Sequence, residues 1–221
     1  YEFYSLFQEI TYFCSMEMSS FYLDIVKDRL YCEGTTSIER RSAQTVLTEV
    51  LKVLVRIISP VLSFTADEIW ERIPEALKEE ESVHLSKWIE ANPEYLNEEL
   101  AKKWDKIARL RREVNKKLEA ERQTGLIGHS LDARVLLNIA NDEYSFIKDY
   151  TENEVSDLFI VSQVKFVNDN LAESEIEGIS IGVEKASGEK CERCWKYDEE
   201  VGHDHNHSDV CPRCASVLEK M

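Results

Sequence analysis

Two Cys-x-x-Cys motifs near the end of the chain constrain its folding more than any other feature. The first is Cys191-Glu-Arg-Cys194, and sixteen residues separate it from the second, Cys211-Pro-Arg-Cys214. Each motif is a tight turn that directs two sulfur atoms towards one point, and two facing turns supply a tetrahedron of thiolates. This spacing is typical of zinc ribbons. We therefore predict one structural Zn²⁺ ion bound by these four cysteines.

Two other uses of the four cysteines stay open at this point. They could form two disulfides, but disulfides require an oxidising compartment and nothing in the sequence indicates secretion. The spacing alone does not separate zinc from iron in a four-thiolate site. Three histidines between the motifs, His203, His205 and His207, could compete for the metal, although four thiolates already complete a tetrahedron.

The length and composition allow a packed protein of one large or two to three small domains. The chain has 221 residues, of which 43% are apolar, with no apolar run of transmembrane length and no signal peptide. We expect a cytoplasmic protein with no membrane contact. The chain starts at Tyr1 within a helical pattern and has no start signal, so we expect it to be a piece of a longer protein.

The first half of the chain has the apolar periodicity of helices. Residues 94–122 carry a long apolar stripe, and Trp70 is expected in the core. Cys14 and Cys32 are expected to behave as small buried hydrophobes. The predicted helices span 1–30, 38–58 (with Ser37 as N-cap), 66–73 (started by a capping box from Thr65 to Glu68) and 94–122. Together they predict a helical bundle over residues 1–123.

The pattern changes after Gly125, and residues 124–187 predict a small, separate α+β unit. The predicted elements are strands at 131–140, 158–161, 164–167 and 176–184 and a short helix at 142–150. Residues 188–221 then form the zinc ribbon. The fold class is therefore mainly α, with a helical bundle followed by a small α+β unit and a four-cysteine ribbon.

The charge is unevenly distributed along the chain, although the total is −16. Residues 101–134 carry a net charge of +5 and residues 141–180 one of −8. Binding to a polyanion depends on the local potential and not on the total. The basic residues of the long helix lie opposite its apolar stripe, where they form either an RNA-binding face or an ordinary solvated face. The predicted contacts are Lys102, Lys106, Arg109, Arg112 and Lys116.

The ribbon has cations beside aromatic rings, a combination that suits single-stranded RNA, because bases stack on rings while phosphates meet Lys and Arg. The predicted contacts here are Arg193, Trp195, Lys196 and Arg213. Trp195 could instead cover the metal site as part of a small core, and the two roles are compatible.

Several motifs resemble a known family. Residues 22–31, 40–45 and 59–70, including Ser63-Phe-Thr-Ala-Asp-Glu68, resemble the anticodon-binding helical domain of class I synthetases for aliphatic amino acids. Residues 127–133 resemble the "IGxSLEA" turn of that family. Gly188–Trp195 and Cys211–Cys214 resemble the C-terminal zinc ribbon of bacterial isoleucyl-tRNA synthetases. The helical motifs alone would also fit the valyl, leucyl or methionyl enzymes.

The resemblance implies a module that binds the anticodon stem and loop of tRNA(Ile). The family's enzymes activate isoleucine with ATP and transfer it to tRNA, using "HIGH" and "KMSKS" signatures that do not occur here. We therefore expect no catalytic residues in this chain, no aminoacylation by it alone, and catalytic and editing domains elsewhere in a monomeric parent enzyme.

Two other classes of protein are alternatives. DNA glycosylases of the formamidopyrimidine type end in a similar ribbon, but they need an N-terminal proline nucleophile and this chain begins with Tyr1. The ribbon and the acidic segment could also be docking surfaces of a protein-interaction module.

Overall fold

A computed structural model describes residues 2–169 and 171–220. The start of the first predicted helix, Tyr1, lies outside the described residues. The chain divides into two compact units, residues 1–96 and residues 97–221. Helices dominate both, and the second unit adds two small sheets and the four-cysteine cluster. The predicted mainly α fold class is confirmed.

The first unit consists of helices and short 3-10 turns. Its first helical stretch runs through α1 (Phe3–Tyr12), a π-helical segment (Phe13–Tyr22) and α2 (Leu23–Cys32), where one long helix was predicted. Helix α3 spans Ile38–Ile58 and α4 spans Ser63–Arg72. The 3-10 turns are Glu75–Leu77, Val83–Leu85 and Pro93–Tyr95. Ser37 is the N-cap of α3, as predicted. Its Oγ accepts a hydrogen bond from the Arg40 amide at 3.1 Å.

The predicted start of α4 is wrong by one turn. The helix begins at Ser63, so Thr65 lies inside it and caps nothing, and the Ala66 amide donates to the Leu62 carbonyl at 2.9 Å. Trp70 is fully buried, as predicted, and its indole donates to the Glu80 carbonyl at 2.9 Å. The guanidinium of buried Arg56 lies 4.9 Å from the centre of this ring. Cys32 is buried as expected, whereas Cys14 is half-buried.

The second unit begins with α5 (Glu98–Gln123), which packs on a three-stranded sheet. Strand β1 (Ala133–Ile139) lies in the middle, parallel to β2 (Gln163–Phe166) and antiparallel to β3 (Ile179–Lys185). A 3-10 helix (Asp142–Asp149) and α6 (Glu152–Phe159) connect β1 to β2. The ribbon follows as β4 (Glu189–Lys190), β5 (Tyr197–Asp198) and α7 (Pro212–Leu218).

Helix α5 buries the C-terminal half of its apolar stripe against the sheet, whereas Leu100 and Trp104 in the N-terminal half are exposed. Ile107, Leu110, Val114 and Leu118 belong to the core that includes the inward side chains of β1 and β3. The compact unit accordingly starts at residue 97, whereas the predicted boundary lies after residue 123. The division into three functional domains stays a prediction.

The strand predicted at residues 158–161 is absent, because Leu158 and Phe159 end helix α6. Thr151 starts this helix with a capping box, in which its Oγ1 accepts from the Glu154 amide and Glu154 accepts from the Thr151 amide. Ile160 then adopts a left-handed conformation, φ 57°, which ends the helix.

Candidate metal centre and RNA-binding surfaces

The two cysteine motifs face each other because a hairpin and a helix place them. Strand β4 pairs with β5 just before and after the first motif, and the Cys191 amide donates to the Lys196 carbonyl at 2.9 Å. The second motif lies at the start of α7, where Cys211 is the N-cap and Pro212 the first residue. The Cys211 amide donates to the Cys191 sulfur at 3.3 Å, which ties the two motifs together.

The four sulfur atoms form one compact group. The Sγ atoms of Cys191, Cys194, Cys211 and Cys214 all lie within 4.8 Å of one another, and those of Cys194 and Cys211 are 3.9 Å apart. Zn–S bonds of about 2.3 Å in a tetrahedron place neighbouring sulfurs about 3.8 Å apart. The observed separation therefore fits a zinc ion bound by four thiolates. It is far longer than the S–S bond of about 2.05 Å that a disulfide requires.

The cluster has the burial and the electrostatics of a site for a cation. Cys191, Cys211 and Cys214 are buried, and Val210 and Ala215 complete the small core around them. The contact with the Cys211 sulfur raises the pKa of the Cys194 thiol to about 12. The bond with Cys194 lowers the pKa of Cys211, but its contact with Cys214 and its burial outweigh this and raise it to about 11. A divalent cation would bind these sulfurs as thiolates and offset the repulsion among them.

The histidines between the motifs are apart from this group. His203 and His205 are exposed and His207 is half-buried. Within the described part of the chain, the four cysteines are the only set of three or more His, Cys, Asp or Glu side chains placed to hold a metal ion.

Trp195 lies on the surface of the ribbon. Its side chain is 62% exposed and does not belong to the core around the cysteines. The residue directly follows the first motif and has a left-handed backbone, φ 66°. Lys190 Nζ lies 5.7 Å from the centre of the ring. The ring therefore has a face available for a base, and its second possible role as a cover of the metal site stays a prediction.

The other predicted contacts of the ribbon differ in accessibility. Arg213 is exposed and Arg193 is half-buried. Lys196 points into the unit, where its ammonium forms an ion pair with Asp157 of α6. Sequence reasoning missed this partner, because the two residues are 39 positions apart.

The predicted basic face of α5 divides into accessible and paired cations. Lys102, Arg109 and Arg112 are exposed and have no ion pair among the described residues. Lys106 pairs with Glu143 at 3.2 Å, and Lys116 pairs with both Glu113 and Glu175 at 2.8 Å. Residues 102 to 116 extend over about 21 Å of helix. This face can therefore follow several phosphates with its accessible cations, while the paired ones fix α5 to the unit.

The turn between α5 and β1 is fixed by one carboxylate. Asp132 accepts hydrogen bonds from the amides of Gly128, at 3.0 Å, and His129, at 2.7 Å. Ile127 is buried beside them. The "IGxSLEA" resemblance therefore corresponds to a closed turn in which the acidic residue binds the backbone.

Comparison with known proteins defines the class of this chain. Residues 1–137 match the model of the anticodon-binding domain of tRNA ligase, and residues 188–217 match that of a zinc finger found in FPG and IleRS. The chain belongs to the family of anticodon-binding domains of tRNA ligases. None of the helices among the described residues combines the length and the apolar character that a membrane span requires.

The individual relatives compared with the chain are isoleucine–tRNA ligases. The chain is 47% identical to the isoleucine–tRNA ligase of Kosmotoga olearia over 226 residues and 46% identical to that of Geobacter sulfurreducens over 223 residues. The isoleucine–tRNA ligase of Petrotoga mobilis is 47% identical over 223 residues. These matches cover 99–100% of this chain and 24% of each relative. The chain thus spans about a quarter of the length of these relatives.

Proposed function

We propose that this chain is the tRNA-binding module of an isoleucine–tRNA ligase and that it recognises the anticodon stem and loop of tRNA(Ile). The observation that carries the proposal is the likeness to isoleucine–tRNA ligases over the whole chain, from the helical unit through the ribbon. A zinc ribbon alone would also fit the FPG proteins named in the family description, but residues 1–137 match an anticodon-binding domain.

The metal in this proposal is a single structural zinc ion bound by the four cysteines. All four positions of a tetrahedron are then filled by protein, so the ion has no open position for catalysis. Its role is to fold the ribbon, because in a site of this kind the free energy of metal binding is free energy of folding. The ribbon otherwise has only a small core of Val210, Ala215 and their neighbours.

The RNA contacts in this proposal come from two surfaces. Lys102, Arg109 and Arg112 on α5 would bind phosphates, since they are exposed and have no ion pair among the described residues. On the ribbon, Trp195 would stack on a base, and Arg193 and Arg213 would contact phosphates. Lys106 and Lys116 contribute less directly, since carboxylates already neutralise them.

The chemistry of the whole protein belongs to the proposal as well. We propose that the longer protein activates isoleucine with ATP and charges tRNA(Ile) as a monomer in the cytoplasm. Its catalytic and editing domains would lie in the three quarters of the relatives that this chain does not cover. This chain alone would not aminoacylate, and its own task would be to hold the tRNA.

The test is filter binding of the 221-residue chain to tRNA(Ile) and tRNA(Val) transcripts at two salt concentrations, with zinc content measured on the same sample. We expect tighter binding of tRNA(Ile), about one zinc per chain, and weaker binding at high salt. Equal binding of both transcripts that does not depend on salt would contradict the proposal. Strand cleavage at a damaged DNA base would support the glycosylase class instead.

A further inference from the structure

One short segment contacts both of the proposed RNA-binding elements. It consists of residues 157–163, from the end of α6 to the start of β2. On one side, Arg111 of α5 donates through Nε to the Leu158 carbonyl at 3.1 Å. On the other side, the neighbouring Asp157 carboxylate accepts from the Lys196 ammonium of the ribbon. Adjacent residues therefore connect α5 to the ribbon.

Further hydrogen bonds fix the ribbon to the same segment. Ser162 Oγ accepts from the Tyr197 amide at 2.8 Å and donates to the Leu131 carbonyl. Gln163 accepts from the Ser187 amide at 3.0 Å and donates back to its carbonyl at 3.1 Å. These contacts lie on both sides of the first cysteine motif, so they fix the direction of the ribbon as well as its distance.

The Asp157–Lys196 pair differs from the ion pairs on the surface. The Asp157 side chain is 32% exposed and that of Lys196 is 19% exposed, whereas in the Arg72–Glu68 pair the values are 76% and 65%. An ion pair with little exposure is screened less by water and salt than an exposed one. The pair joins a side chain just after the first cysteine motif to helix α6.

We propose that Asp157 and Lys196 form a latch that holds the zinc ribbon at a fixed position relative to α5, so that the two elements bind RNA as one preorganised surface. Lys196 is then a positioning residue that acts through Asp157, and not a phosphate contact. The inference rests on the proposed tRNA binding. Its physical basis is that two linked binding elements gain affinity when the linkage already holds them in the bound geometry.

The variant Asp157→Asn tests whether Lys196 positions the ribbon through Asp157 or contacts RNA directly. The substitution removes one negative charge from a chain of net charge −16, which by itself favours binding to a polyanion. The latch predicts the opposite, a tRNA(Ile) affinity weaker by a factor on the order of ten, because the hydrogen bonds of Ser162 and Gln163 alone hold the ribbon less rigidly. The matched control is Asp149→Asn, which removes the same charge from an exposed carboxylate of the same unit and should bind at least as well as the wild-type chain.

A charge exchange supplies the second test. Lys196→Met should weaken binding as Asp157→Asn does, and the double variant Asp157→Lys with Lys196→Asp should recover most of the affinity. If Lys196 contacts a phosphate directly, the exchange places a carboxylate at that contact and binding stays weak. Failure of the double variant to recover would overturn the latch.

Hydrogen exchange tests the latch without RNA, so its result does not depend on the proposed tRNA binding. Hydrogen exchange of the amides in residues 187–199 should be faster in Asp157→Asn than in Asp149→Asn, with zinc content unchanged. Unchanged exchange would overturn the latch, as would loss of zinc from Asp157→Asn, because the pair would then maintain folding and not position. A wild-type chain that does not prefer tRNA(Ile) would contradict the proposed function alone.

Discussion

A Cβ atom placed on Gly188 would lie 2.2 Å from the carbonyl oxygen of Asp198. Gly188 precedes strand β4 and has a left-handed backbone, φ 89°, and Asp198 belongs to the paired strand β5. Gly188→Ala must therefore push the two strands apart below the first cysteine motif. We expect zinc binding weakened on the order of tenfold or more, measured by competition with a chromophoric chelator.

The control for this substitution is Gly125→Ala. Gly125 also has a left-handed backbone, φ 80°, but a Cβ atom there meets no atom within 4 Å. Alanine in this conformation costs about 1–2 kcal/mol at either position. Equal zinc affinity in the two variants would show that the contact with Asp198 does not matter.

Cys211→Ser should abolish stoichiometric zinc binding and loosen the ribbon. Three thiolates leave the tetrahedron incomplete, and in structural sites zinc contributes on the order of 10 kcal/mol of folding free energy. The helices of the first unit lie outside the ribbon and should keep their circular dichroism signal. Elemental analysis and limited proteolysis measure the two effects.

Cys14→Ser is the matched change at a cysteine outside the cluster, where the half-buried side chain belongs to the first unit. It should keep its zinc and its resistance to proteolysis in residues 188–220. A Cys211→Ser chain that retains one zinc per molecule would contradict the assignment of this ligand.

The stability of α5 should depend on pH through Glu113. Its hydrogen bond from Lys116 Nζ, at 2.8 Å, lowers the pKa of this buried carboxyl below the ordinary value of 4.5, and the Glu175 amide adds to the effect. The ionised group therefore contributes stability above its ordinary pKa, and this contribution is lost as the pH falls through the lowered pKa. Glu113→Gln should lower the free energy of unfolding by about 1–2 kcal/mol at neutral pH.

The difference between Glu113→Gln and the wild-type chain should disappear in acid, which urea unfolding at a series of pH values can measure. Glu119→Gln is the control on the same helix, because Glu119 is exposed and its pair with Arg122 is solvated. Such exposed pairs contribute little. If Glu113→Gln lowers the free energy of unfolding by the same amount at neutral pH and at about pH 3, the ionised carboxylate is not the cause of the difference.

Arg109→Ala should weaken tRNA binding and also reduce its dependence on salt. Arg109 is exposed on α5 and has no ion pair in the described part of the chain, so it is available for a phosphate. Losing one phosphate contact lowers the slope of log K against log salt by about 0.7–0.9. Lys165→Ala removes the same charge from the exposed side of β2 and should leave the slope unchanged. The same slope for both variants would place the RNA elsewhere.

Local features of the fold could be predicted from the sequence. The Ser37 cap depends only on the next three residues, and the convergence of the four sulfurs depends on two short motifs. The capping box of Thr151 and Glu154 is an equally local signal that the sequence analysis missed, since it took the apolar run at 158–161 as a strand. Four apolar residues do not separate a strand from the last turn of a helix.

Long-range packing could not be predicted. The stripe of α5 shows that one face of the helix is buried, but a bundle and a sheet bury the same side chains. The role of Lys196 likewise depends on Asp157, whose proximity arises only when the ribbon folds onto α6. The residue type alone predicts that Lys196 lies at the surface. Its ion pair with Asp157 instead leaves the ammonium little exposed and hence little accessible to RNA.

Trp195→Ala should weaken tRNA binding and leave the zinc site intact. The ring is 62% exposed and is not part of the core around the cysteines, so we expect that core to stay packed without it. Stacking of a base on such a ring contributes about 1–3 kcal/mol, which corresponds to roughly a 5- to 150-fold loss of affinity. Trp88→Ala, at a tryptophan that is 66% exposed in the first unit, controls for the general loss of an exposed aromatic ring. Loss of zinc from Trp195→Ala with unchanged RNA affinity would instead assign the ring to the metal site, because only a ring that shields the cluster could produce that combination.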